Sequence, residues 1–490
     1  MPDEPIQFDL DLESIQRLSP GKGLFDTLGL TVSYNFSSDA LRSATPAGPS
    51  EIIKTVVHET THLYQMLSTP YGYYYYALRA FQCNQALALI RLLQNDYGVK
   101  VKYPLARQIV QLQPRAKYKN LVDNLYLWYL AELLILYFEG NVDAFLDLAV
   151  RHPVFRGWSP LQMFAEMERF LIRFFGTIGR PVEEYAGPNL AFNDEAFQIE
   201  KMAIGMKAAG DLDMLALLES AAKVAEFWTE PPDGPVDFEK WLPVSMSAGQ
   251  SKYYMLIHPV KGGIKAGNIR EFVYTYAALC ELALFAPLLP QHAALRPSKS
   301  TNIESLHPLL RMFKAAGVSG KLKPVSNLEQ DYDRFMQELC GELQWLTPNE
   351  MNVRSMPKFR YVQEDRISSL YDTAQRYRHA MPGIFTDHRI LFTFDQPAAR
   401  QFSSTFTPLV IELTDKTLFH KDKNLIDYFL VQYVTQSYLR KVLLSNDLSV
   451  RLPHRAGAEE LEMYRSVLAT FLNLSAGLQN PPIVITGRDE

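Results

Sequence analysis

Cysteine is scarce in this chain: Cys83, Cys280 and Cys340 are the only three, far apart and odd in number. Each sits in an apolar stretch with helical periodicity, so no disulfide framework is expected, and the three read as reduced core thiols of a cytoplasmic protein. Long runs of one charge are also missing. The net charge of −5 is spread along the sequence with no basic tract, which argues against a nucleic-acid partner and against an anionic membrane surface. The opening MPDEPIQFDLDLE is acidic and lacks the basic start and apolar run of a signal peptide. No segment offers the roughly 20 uncharged apolar residues of a membrane span. The closest approach, Phe272 to Leu289, is interrupted by Glu281 and Pro287. Internal repeats and low-complexity tails are absent.

What is present is a 490-residue chain with 47% hydrophobic residues, enough for two or more well-filled cores. Its most informative stretch is Glu51 to Leu67, EIIKTVVHETTHLYQML. Ser50 is a good N-cap, Glu51 puts a negative charge in the first turn, and Pro70 with Gly72 stops the segment, so a helix is expected. In a helix, His58 and His62 project from one face one turn apart and can hold a single metal ion, with Glu59 at the edge of that face. Ile52, Ile53, Val56, Val57, Leu63, Met66 and Leu67 surround this polar trio, which implies burial and therefore a need for partners. The pattern is HExxH. At average residue usage, a chain this long shows it by chance about once in a hundred.

Upstream, IQFDLDL and LGLTVSYNF read as short strands around the turn SPGKG, and LTVSYNF is a candidate substrate-pairing edge strand. The Gly-Lys-Gly of that turn lacks the flanking spacing of a phosphate loop. Downstream, the run Tyr73 to Tyr76 sets phenols on several sides of the next helix; such tyrosines form wall or core more often than they donate to an oxyanion. Helices are expected around 104–112, 116–139, 141–151, 160–176, 190–209, 211–228, 268–286, 302–316, 327–346, 361–379, 424–445 and 457–475. TEPPDGPVD, residues 229–237, reads as a linker, while LRPSKS and LTPNEMNVRSMP read as loops. Strands are expected at 389–394 and 408–414.

Catalytic zinc usually keeps three protein ligands and one open position. The motif supplies two. Two further acids in helical stretches compete for the third place. Glu200 is preferred because Ala196 and Ala203 on its face allow close helix approach, whereas Glu132 is flanked by Trp128, Tyr129 and Leu136. Glu139, Glu195 and Glu281 are weaker choices. The plain alternatives are a solvated Glu200 paired with Lys201 or Lys207, and a core Glu132 bonded to a tyrosine. The other histidines show no metal spacing, and His258 is a guess for a transition-state donor.

On His58, Glu59, His62 and Gln65, then Ser68, Thr69 and Gly72, and later Glu200 with Ala203, the chain resembles the HExxH zinc metallopeptidases of the gluzincin type, and more loosely an uncharacterised bacterial branch with an E-x-x-A helix. The resemblance implies Zn2+ held by His58, His62 and Glu200, with Glu59 as general base acting on a peptide or protein substrate, and with Gln65 orienting a ligand. The expected fold is mainly α, a helical zincin-like core with small β elements near the N-terminus and around 389–414. Three segments are expected: a metal-binding lobe at 1–228, a helical lobe at 238–380 and an α+β segment at 381–490. Two other functions fit the same residues: a catalytically inactive helical scaffold that retains the motif, and a metal hydrolase of small amides or esters.

Overall fold

The computed structural model describes residues 23–44, 51–139, 158–177, 214–226, 255–289, 303–359, 370–376, 408–478 and 481–488, apart from 27, 114, 159 and 372, together with 145, 148 and 292. In chain order the elements are β1 (Gly23–Asp26), β2 (Thr31–Tyr34), α1 (Ser38–Ser43), α2 (Glu51–Ser68), α3 (Pro70–Arg91), α4 (Leu105–Leu112), α5 (Lys119–Glu139), α6 (Pro160–Thr177) and α7 (Met214–Glu226). They continue with α8 (Ile257–Lys261), α9 (Ile269–Leu284), α10 (Ile303–Leu306), α11 (Pro308–Ser319), α12 (Leu328–Leu343) and α13 (Pro348–Phe359). Last come β3 (Val410–Glu412), β4 (Thr417–Phe419), α14 (Lys423–Leu444), β5 (Ser449–Arg451), α15 (Ala458–Ala476) and β6 (Val484–Thr486). The fold is mainly α with small β elements, as the sequence leads one to expect. Of the expected elements, IQFDLDL, 141–151, 190–209, the linker 229–237, LRPSKS and 389–394 lie outside the described residues or touch them only at single positions, 361–379 is described only over 370–376 apart from 372, and the N-cap candidate Ser50 lies outside as well.

The core is built around α3 and α5. Most of the residues of both are buried, which marks helices enclosed by others rather than lying on a surface. α3 packs against α2, α5, α14 and α15, while α5 also takes α6 and α4. Among the described residues, 116–138 form one helical stretch long and apolar enough to cross a membrane by length and composition, where the sequence reading finds no such segment and has 272–289 as the closest approach; its most apolar window is 78% buried within the fold.

The turn from α2 to α3 is set by three residues. Thr69 donates its hydroxyl to the Gln65 carbonyl at 2.6 Å and accepts from the Gly72 amide at 3.2 Å, capping α3 with Pro70 in its first turn. Gly72 has no alternative there, because a Cβ would stand 2.0 Å from the Met66 carbonyl oxygen.

Four strands form a sheet in the order β1-β2-β3-β4, with β1/β2 and β3/β4 antiparallel and β2/β3 parallel. The sheet joins the first segment of the chain to the last, and α14 against α3 does the same among the helices. β1 lies against α2. The expectation that LTVSYNF supplies an edge strand needs correction: its strand, β2, pairs with β1 on one side and β3 on the other, so its backbone groups are already used. Among the described residues β1 is the outer strand on the α2 side.

A second correction concerns LTPNEMNVRSMP, which forms α13 rather than a loop. The Thr347 amide donates to Glu350 Oε2 at 2.9 Å and the Glu350 amide donates to the Thr347 hydroxyl at 3.1 Å. This reciprocal capping box outweighs the turn signal of Thr-Pro-Asn.

Candidate metal centre

α2 places His58 and His62 four residues apart on one buried face, with ring centroids 4.9 Å apart and planes at 82°. Phe25 of β1 stacks on His62 at 6.1 Å and fixes that ring from the sheet side. The opposite side is closed by α7, which packs along α2. Ala216 and Ala222, three residues to either side of Glu219, are small and buried, which lets the two helices approach closely. One side-chain bridge sets their register: Gln65 donates from Nε2 to the Leu218 carbonyl at 3.1 Å.

That register brings Glu219 to the two histidines. Its Oε2 is 2.9 Å from His58 Nε2 and 3.6 Å from His62 Nε2, and one ligand atom from each of the three residues lies within 4.8 Å of the others. The other ring nitrogens are occupied. His58 Nδ1 is 2.9 Å from Glu226 Oε1, and His62 Nδ1 donates to Gln65 Oε1 at 2.9 Å. Glu226, two turns beyond Glu219 on the same face, is steadied by Lys223 Nζ at 2.6 Å. Each imidazole is thus clamped at Nδ1 and turned toward Glu219 through Nε2, the outer-partner arrangement that orients metal-binding histidines.

Burial sharpens the electrostatics, since none of His58, Glu59, His62 and Glu219 is more than 5% exposed. Burial works against the His58 imidazolium, yet Glu219 and Glu226 outweigh it and raise its pKa to about 10. Glu219 itself would be pushed up by burial but is held well below the usual carboxylate range by His62 and His58. Burial pushes Glu59 up to about 7, with His58 and His62 pulling the other way.

The donor set fits a divalent cation of zinc's preference. Two imidazole nitrogens and one carboxylate are the ligands of a common catalytic type. His62 Nε2 and Glu219 Oε1 are both buried without a hydrogen-bond partner, a costly state that a bound cation relieves. Glu59 Oε2 is likewise buried without a partner, and it stands outside the group of three ligand atoms.

Glu200, the third ligand expected from sequence, lies outside the described residues, as does Glu195; the carboxylate found beside the imidazoles is Glu219. Glu132 is engaged elsewhere. It accepts from Gln82 Nε2 at 2.6 Å, lies 3.5 Å from Arg79 Nη1 and accepts from Arg440 Nη2, so its partners are one amide and two guanidiniums and not a tyrosine. Glu281 accepts from the Tyr332 phenol, and His258 is half-buried on α8, which packs against α11. Tyr73 to Tyr76 are all buried: Tyr73 stacks on Tyr371 at 4.8 Å, Tyr74 meets Phe138 edge-on at 5.6 Å, and Arg79 lies over Tyr75 at 5.2 Å.

Glu219 and Glu226 were legible in principle. Glu219 has Ala222 three residues on, the same Glu-x-x-Ala spacing as Glu200 and Ala203, and small residues flank it on both sides. Seven residues separate it from Glu226, which keeps both acids on one helical face. No protein-family model, curated protein or solved structure matches this chain.

Proposed function

We propose that the chain is a zinc-dependent hydrolase of peptide bonds, with His58, His62 and Glu219 as the protein ligands and Glu59 as general base. One observation carries this reading: both imidazoles are clamped at Nδ1 and turned through Nε2 onto one carboxylate, with a second carboxylate beside them. Three protein ligands leave the open position that distinguishes catalytic from structural zinc. Zinc bound there would supply Lewis acidity, polarising a carbonyl and lowering the pKa of water to about 7. Glu59 then takes a proton from the attacking water and delivers it to the leaving amine. Gln65 and Glu226 keep the two rings in position. Phe25 and the outer strand β1 line the sheet side of the site, where an extended peptide can pair with backbone. That favours a peptide over a small amide or ester. The likeness of the HETTH segment to gluzincin peptidases supports the same chemistry.

The test is metal analysis joined to peptide-library hydrolysis. Wild-type protein is expected to carry about one zinc per chain, Glu219→Ala to lose it, and Glu59→Gln to keep the metal while losing hydrolysis. A metal-free wild type, or a fully active Glu59→Gln, ends the proposal.

The near-complete burial of the four groups favours one other reading, a metal clip holding α2 to α7 in a non-catalytic scaffold. On that reading zinc is bound, no peptide is cleaved, and removing the metal lowers the unfolding temperature.

A further inference from the structure

The near balance of charge conceals one local excess. Between Tyr97 and Val122 stand Lys100, Lys102, Arg107, Arg115, Lys117 and Lys119, with no aspartate, glutamate or histidine among them, in a chain whose net charge is −5. No two are adjacent, so they form no run in the sequence, and the fold is what gathers them. Gln108 of α4 accepts from the Lys102 amide and donates to the Lys100 carbonyl, each at 2.8 Å, which lays that stretch against the helix. The ring of Tyr97 meets Tyr118 at 5.0 Å, which brings the turn between α4 and α5 alongside the same stretch. All six cations are exposed. Lys119 pairs with Asp123, and among the described residues the other five meet no carboxylate. Val110, three residues beyond Arg107 on α4, is 43% exposed in their midst.

We propose that this surface docks the chain on a membrane leaflet rich in anionic lipid headgroups. Unpaired cations on flexible stems answer a diffuse negative potential without needing a shaped cleft, and each contributes about fivefold to binding near such a surface. An exposed apolar side chain among them fits the headgroup boundary. Single-stranded nucleic acid suits the surface less, because it relies on aromatic faces for stacking. Tyr118 is buried, with Lys117 over its ring at 4.7 Å and Tyr97 against it. Overall charge balance argues against an anionic partner only while the cations are spread evenly, and here the fold segregates them.

The test is flotation of the purified full-length protein with phosphatidylcholine vesicles, with and without phosphatidylserine. At about 0.1 M salt the partition constant is expected to rise at least about tenfold when phosphatidylserine is included, and the gain should vanish at about 1 M salt, where the screening length shrinks to about 3 Å. Lys100→Gln with Lys102→Gln, and separately Arg115→Gln with Lys117→Gln, should each weaken binding by about 25-fold. Lys321→Gln with Arg354→Gln, which removes exposed cations elsewhere, should leave it unchanged. All these positions are on the surface, where such changes spare the fold. No preference for phosphatidylserine, patch variants that bind like wild type, or an equal loss in all the variants overturns the proposal. So does tighter binding to an RNA oligomer or a polyglutamate peptide than to the vesicles at the same salt, which would assign the surface to that polyanion.

Discussion

Glu226 holds the Nδ1 of His58 at 2.9 Å, on the side of the ring opposite Glu219. Gln65 performs the matching task for His62. Outer partners of this kind fix the tautomer and orientation of a ligand, and losing one usually costs 10- to 100-fold in metal affinity. Glu226→Gln and Gln65→Leu are each expected to weaken zinc binding by about that factor in competition with a chromophoric chelator. Gln65→Leu should also lower stability, since it frees the Leu218 carbonyl. Unchanged affinity in both variants would show that the rings do not ligate through Nε2.

Glu132 separates structural burial from ligation. Replacing it by alanine removes the carboxylate shared by Arg79 and Arg440 inside the core, and breaking a buried pair of this kind costs about 3 to 5 kcal/mol. Urea unfolding should report that loss while the zinc content of folded protein stays at the wild-type value. A variant that loses metal without losing stability would assign Glu132 to the metal centre.

Gly72→Ala tests the turn beside the motif helix. The added methyl would meet the Met66 carbonyl at 2.0 Å, so the backbone must move, and a loss of about 3 kcal/mol is expected from overpacking. The displaced segment is the last turn of α2, which contains Gln65 and follows His62. Reduced metal affinity should therefore accompany the lower urea midpoint. Pro70→Ala, at a position that tolerates other residues, should cost far less.

His307 predicts an acid limit to stability. Its ring donates to the Tyr137 carbonyl and stacks on Phe138 at 5.5 Å, and burial depresses its pKa from 6.5 to about 4 despite that hydrogen bond. The unfolded imidazole takes up a proton near its ordinary value while the folded one resists. Stability from this group is therefore complete above about 6.5 and is lost as the pH falls through about 4, by about 3 kcal/mol in all. His307→Phe should flatten the stability profile between those limits, measured by urea unfolding at a series of pH values. An unchanged slope would mean that other groups dominate acid unfolding.

How far the sequence could be read followed the range of the signals. The α2 helix, its buried face and the break at Pro70 rest on neighbours within a few residues, and the structure has a helix there ending at Ser68. Glu219 depends on which helix lies beside α2, and small neighbours are a property that Glu200 and Glu219 share. Choosing between them requires knowing that Gln65 reaches the Leu218 carbonyl, a contact across 153 residues. Edge and centre of the sheet were equally illegible. LTVSYNF has the alternation of a strand, but only pairing with Val410–Glu412 decides that it is interior. At α13 the deciding signal is local: the Thr347 and Glu350 capping box starts the helix although the neighbouring prolines carry a turn signal.

The parallel pairing of β2 with β3 also bears on how the molecule is made. Ser33 and Glu412, joined by a 3.0 Å hydrogen bond, are 379 positions apart. During synthesis the hairpin beside His62 must wait as a marginal two-stranded piece until most of the polypeptide has left the ribosome. Closing so long a loop is slow, so the wall that Phe25 builds against the metal helix is among the last parts to become permanent.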